Sequence, residues 1–316
     1  MKLQTQIPLQ PQKFNQIDYK SEVVLLGSCF TENIGAKFQD LKFQTTINPF
    51  GILFHAVAIE TLVKRAINSD YYIEDEFIFT NEQWACYDTH SKLNNADKAQ
   101  LTEMLNGQID RTRTTLEGAT HIILTLGTSW VYRQIALDRI VANCHKVPQK
   151  QFLKELLSVD EISNSLDATM ALIRTINPKV NFIFTVSPVR HIKDGFIENT
   201  QSKAHLIAAV HQVIDERKQQ YYFPSYEIMM DELRDYRFYN SDMLHPSDLA
   251  MNYIWDRFKM TWMSTDTVTT MEDVEAIQKD LSHKPFNPNS EAHQQFVRAL
   301  NDKIAKLEDQ WPHIKF

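Results

Sequence analysis

Three apolar runs, at residues 23–26, 122–126 and 180–186, stop abruptly at Gly27, at Gly127 and at Ser187-Pro188. Each is short, rich in β-branched and aromatic residues, and apolar at nearly every position, the pattern of strands buried on both faces. Segments of helical character lie between and after them, at residues 31–41, 55–67, 96–116, 166–176 and 199–217. Parallel strands need crossover connections, so this alternation predicts an α/β fold, a three-layer α/β/α sandwich around a mostly parallel sheet. Thr31 is the expected N-cap of the first helix, and Asn177-Pro178 stops the fourth.

Smaller elements fill the rest. Tyr71-Tyr72-Ile73 and Phe77-Ile78-Phe79 pair as a hairpin around Glu74-Asp75-Glu76, and Tyr221-Tyr222-Phe223 forms a short strand before Pro224. Residues 127–159 read as a long, mostly irregular stretch, a length that usually carries function. A helix is expected over 246–262 with Pro246 in its first turn, then two tail helices near 271–281 and 290–307. The expected organisation is a main domain over 1–262 and a helical extension over 263–316 packed on it, which is also a candidate for homo-oligomer contacts.

Composition narrows the function. A formal net charge of −7 argues against nucleic acid as partner, because phosphate binding needs a basic surface. No uncharged apolar run is long enough to span a bilayer, and the first residues lack the apolar core of a signal peptide, so a cytoplasmic location is expected. Three scattered cysteines, Cys29, Cys86 and Cys144, do not make a disulfide framework. With only 7 glycines in 316 residues, each one is expected to mark a position that tolerates no side chain.

The chemistry concentrates at two places. Ser28 follows the first strand and opens a helix, so its hydroxyl lies where open α/β sheets bind ligands, beside free helix N–H groups. Asp242-Met243-Leu244-His245-Pro246 offers a carboxylate and an imidazole on one turn. An imidazole exchanges protons near neutrality, and a carboxylate orients it, so the two segments read as halves of a serine hydrolase. Cys29 is expected to face the helix–sheet interface as a small hydrophobe.

Gly27-Ser28-Cys29-Phe30-Thr31 resembles the signature of the GSCFA family, a branch of the SGNH/GDSL hydrolases, with threonine in the fifth place instead of alanine. Asn48-Pro49-Phe50-Gly51, Leu126-Gly127-Thr128, Asn143-Cys144-His145 and the Asp242–His245 block extend the resemblance from about residue 3 to about residue 260. It implies a flavodoxin-like sandwich in which Ser28 attacks a carbonyl, His245 shuttles the proton and Asp242 orients His245. It also implies an oxyanion hole made by the N–H groups of Ser28 and Gly51. A third donor, normally asparagine, is replaced by Ser129, leaving Thr128, Ser129 or Asn143 for that role. His145, Arg190 and His191 are expected to position substrate, Arg190 by a bidentate grip on an anionic group, and Trp130 to line the pocket.

The implied reaction is hydrolysis of a small acyl ester, such as an acetyl group on a carbohydrate-like alcohol or a metabolite, without a cofactor. No metal site is expected, since His145, His191 and His245 lack tight ligand spacing. An acyltransferase using the same residues, and a non-catalytic binding module on a degenerate scaffold, are the alternatives.

Overall fold

The computed structural model describes residues 4–316. In chain order the first elements are β1 (Glu22–Gly27), α1 (Cys29–Asp40), β2 (Gln44–Ile47), α2 (Ala56–Asn68), β3 (Phe77–Thr80), β4 (Gln83–Cys86) and α3 (Lys98–Gly118). There follow β5 (His121–Leu126), β6 (Trp130–Gln134), β7 (Arg139–Val141), β8 (Phe152–Leu156), α4 (Val159–Ile176), β9 (Asn181–Val186) and α5 (Phe196–Val213). The last are β10 (Gln220–Tyr222), the single turn α6 (Ser225–Glu227), α7 (Asp248–Trp262), α8 (Thr265–Leu281) and α9 (Glu291–Gln310).

Five of the strands form one sheet in the order β2-β1-β5-β9-β10, every pair parallel. Counted among themselves, these strands run 2-1-3-4-5, the flavodoxin-like order, whose ligand crevice opens between the first and third strands at their carboxyl ends. Those ends are Gly27 on β1 and Leu126 on β5.

Alternation along the strands divides the core in two. Val24, Leu26, Ile122, Leu124, Phe182 and Phe184 point into one cluster with residues of α2, α3, α4 and α5. Val23, Leu25, Ile123 and Ile183 point the other way, toward residues of α1, α7, α8 and α9. The fold is thus the expected three-layer sandwich, and the tail helices bury Met271, Val274, Ile277, Leu300 and Leu307 in the second cluster.

Several local expectations are corrected. The hairpin is β3–β4, one step downstream of the expected pair; Glu74–Glu76 is a single 3₁₀ turn. Its two turn residues, Asn81 and Glu82, have φ of 49° and 61°, the left-handed pair that a tight hairpin turn of matching twist requires. The stretch 127–159 is not irregular: it carries an antiparallel sheet, β7-β6-β8. α4 begins earlier than expected, at a capping box in which Ser158 and Glu161 bond each other's backbone. Ser28 holds the N-cap position of α1, without a side-chain cap bond, while Thr31 lies buried inside it. α7 starts at Asp248 with Ser247 as its cap, two residues after Pro246.

Candidate active site

β1 ends in a conformation that Gly27 alone allows: φ is +141°, and a Cβ there would collide with the Thr125 carbonyl oxygen. The Gly27 N–H is held by Asn48 Oδ1 at 2.9 Å. The chain then turns into α1, and the turn decides which side chain reaches the crevice. Ser28 is fully buried, and its Oγ makes no hydrogen bond among the described residues. Cys29, the first helical residue, is half-buried with its Sγ 3.9 Å from His245 Nε2.

The imidazole is presented by the turn before α7. Asp242 Oδ1 accepts the N–H groups of Leu244 (2.8 Å) and His245 (3.0 Å), and Met243 takes a left-handed φ of 60°. Asp242 Oδ2 then lies 2.6 Å from His245 Nδ1. The two backbone bonds and the histidine pull the Asp242 carboxyl down to about 2, so it stays ionised across the neutral range. With Nδ1–H given to the carboxylate, Nε2 is the free acceptor, and it faces sulfur. The turn is pinned by a bridge between Tyr239 and Pro246 and by the Arg190 N–H to the Leu244 carbonyl at 3.4 Å.

The structure places Cys29 Sγ, one residue past the expected nucleophile Ser28, beside the imidazole. Asp242 and His245 come together as expected, but the partner of Nε2 is Cys29 and not Ser28. The expected oxyanion donors are also occupied: the Ser28 N–H donates to Thr125 O at 3.1 Å, and the Gly51 N–H to Asn48 O at 2.7 Å. The N–H groups of Cys29 and Phe30, in the first turn of α1, have no carbonyl partner in the helix and lie beside Sγ. Burial pushes the Cys29 thiol above its ordinary value, and these N–H groups and the Lys203 ammonium only partly oppose it.

The remaining site residues divide. Ser129 is fully buried, and its N–H and Oγ both bond Ser202; Thr128 Oγ1 lies 3.1 Å from the same hydroxyl. Both are therefore structural ties between β5 and α5. His145, in a left-handed conformation, turns inward, with Nε2 2.7 Å from the Cys86 carbonyl. Asn143 accepts the His145 N–H at 2.8 Å and lines a cavity of about 540 Å³. Trp130, Phe54, Cys144 and His191 line it too. Arg190 donates to Tyr239 Oη at 2.5 Å and contacts Met230 Sδ, bracing the histidine turn. Among the described residues no group of three or more His, Cys, Asp or Glu is arranged to hold a metal ion.

His191 connects the cavity to the dyad. Its ring packs edge-on against Phe54 at 5.4 Å, and its Nε2 is buried without a partner. Burial first, and then the nearby Lys203 and His245, pull it down to about 4, so it is neutral at pH 7. Lys203 escapes sequence reasoning, because a lysine in an amphipathic helix reads as a solvated side chain. It is 1% exposed. No helix among the described residues is long and apolar enough to cross a membrane.

Comparison with known proteins gives the following. The family model described as GSCFA family matches residues 22–258, and one described as GSCFA domain protein, C-terminal domain, matches residues 274–316. No curated protein matches. Solved structures similar to this chain include a carbohydrate esterase family 3 protein from Talaromyces cellulolyticus, 10% identical, with a TM-score of 0.37 over 80% of this chain and 99% of that one. Another is an acetyl esterase mutant with acetate ion, 11% identical, with a TM-score of 0.36 over 80% and 99% of the two chains.

Proposed function

This chain belongs to the GSCFA family, and from the arrangement of Cys29, His245 and Asp242 we propose that it hydrolyses an acyl ester of the SGNH type through a thiol nucleophile. The observation that carries the reading is the approach of His245 Nε2 to Cys29 Sγ at 3.9 Å, with Asp242 at 2.6 Å behind the ring. A nucleophile, a base and an orienting group in series are what acyl transfer needs.

In the first half-reaction, Cys29 Sγ attacks the ester carbonyl as its proton passes to His245 Nε2. Asp242 stabilises the imidazolium so formed. The oxyanion meets the N–H groups of Cys29 and Phe30, whose dipoles point at it from the start of α1. Collapse breaks the C–O bond, and His245 returns its proton to the departing alcohol, leaving a thioester. Water, deprotonated by the same imidazole, then attacks the thioester, releasing the acid and restoring the thiol. The raised thiol makes His245 a base acting during attack, not one half of a standing ion pair. The cavity that His191 also lines, walled by Phe54, Trp130, Phe152, Lys146 and Lys193, suits a bulky, partly apolar substrate portion.

The test compares Cys29→Ala with Ser28→Ala on p-nitrophenyl acetate, with intact-mass trapping of the acylated protein. Expected is a loss of roughly 10³-fold or more for Cys29→Ala and an acetyl adduct mapping to Cys29. An adduct on Ser28, or turnover surviving in Cys29→Ala but lost in Ser28→Ala, returns the role to the serine.

A further inference from the structure

Among the described residues Lys203 is the one buried lysine, and the steps above make no use of it. Its Nζ donates to the carbonyls of Gly127 at 2.6 Å and Ser187 at 2.8 Å, the residues just past the ends of β5 and β9. Buried charges are normally paired. Four groups lie within electrostatic reach of this one: the Cys29 thiol, which follows the Ser28 that packs against Gly127, Arg190 and His191 from the loop after β9, and the Tyr226 ring from α6, its centroid 6.0 Å away. Two of those are basic, and burial keeps the Tyr226 phenol protonated. Only the thiol is left to supply a negative charge.

Resting on the reading of Cys29 as nucleophile, we propose that Lys203 is the counter-charge of the Cys29 thiolate, a positioning residue held beneath the crevice by two strand-end carbonyls. Its helix neighbour Ser202 ties down Thr128 and Ser129, the residues expected to furnish a third donor. Two consecutive residues of α5 thus serve one centre in different ways. Ser202 fixes the loop, and Lys203 supplies the field.

Charge balances at each step. When the thiol ionises, its proton goes to His245 Nε2, and the thiolate has the imidazolium beside it and the Lys203 ammonium within electrostatic reach. Thioester formation removes the sulfur's charge and strands the ammonium. That penalty favours thiolate as the leaving group when water attacks, so Lys203 assists deacylation more than acylation. Burial pulls Lys203 down to about 7 while it pushes Cys29 up, so thiol–amine and thiolate–ammonium forms compete for one proton.

The experiment measures iodoacetamide alkylation of Cys29 in the full-length protein between pH 6 and 12, with the site mapped by mass spectrometry. Lys203→Met is expected to raise the alkylation midpoint by roughly one pH unit or more and to slow the reaction about tenfold at neutral pH. Lys203→Arg is expected to restore the midpoint. A Lys203→Met midpoint equal to that of the wild type overturns the proposal. Should Lys203→Met fail to fold, the reciprocal measurement decides: the ¹³Cε titration of Lys203 in the wild type against Cys29→Ala. A lower lysine midpoint in Cys29→Ala supports the pairing, and an unchanged one overturns it. Ester turnover surviving in Cys29→Ala removes the catalytic reading while leaving the alkylation result to judge the pairing by itself.

Discussion

Ser28 ends β1 with its hydroxyl sealed in, while Cys29, one residue on, carries its sulfur to the crevice. The backbone at Ser28, with φ −72° and ψ 178°, is still extended; helical phase begins only at Cys29 and swings the next side chain toward the turn before α7. Ser28→Ala therefore deletes an unbonded buried oxygen and is expected to leave stability equal to the wild type or higher by up to about 1 kcal/mol, read by thermal melting. Gly27→Ala is expected to cost at least about 2 kcal/mol, because it adds a clash to a backbone angle that L-residues avoid. The pH dependence also follows from single groups. A thiol lying above its ordinary value is mostly protonated at neutrality, so Cys29 alkylation should climb about tenfold per pH unit from 6 to 9. Asp242, lowered to about 2, keeps its charge throughout that range, so any acid loss of turnover between pH 4 and 7 comes from another group. Asp242→Asn is expected to reduce turnover by roughly 10²–10⁴-fold in a stopped assay with p-nitrophenyl acetate. Both chemical segments were legible in the sequence; which of two adjacent residues faces the base was not. That choice depends on where helical phase starts, a matter of one dihedral angle.

Elements were legible wherever burial imposes a simple period. β1, β5 and β9 are apolar on both faces, and α2 shows its buried stripe of Ile59, Leu62, Val63 and Ala66 directly. The sheet of β6, β7 and β8 escaped because its strands are short, half-exposed and rich in charged residues, including the Arg133–Glu155 cross-strand pair at 2.8 Å. Their signal is local pairing, not burial. Element starts were misjudged where capping chemistry outweighs apolar periodicity. At α4 the cap precedes the first buried residue, Ile162, by four positions. Ser158→Ala should accordingly cost about 1 kcal/mol in urea unfolding, although no apolar contact is touched.

At the level of the whole molecule, the class of fold and the strand-end location of the site follow from the alternation of apolar runs and helices, while the reach of the tail does not. α8 and α9 complete the same cluster that covers one face of the sheet, together with Phe38, Trp255 and Phe258. Deleting residues 265–316 uncovers that face, and cooperative unfolding by circular dichroism should be lost or shifted to much lower denaturant. Base and nucleophile also differ in how firmly they are mounted. Cys29 directly follows β1, an inner strand of the five-strand sheet, whereas His245 and Asp242, with side chains 42% and 45% exposed, ride on a surface turn fastened by a few hydrogen bonds. Gentle urea should loosen that outboard arm first. Catalysis would then fade at concentrations where the scaffold's spectrum is still intact, a gap between two curves that a rigidly assembled dyad would not show.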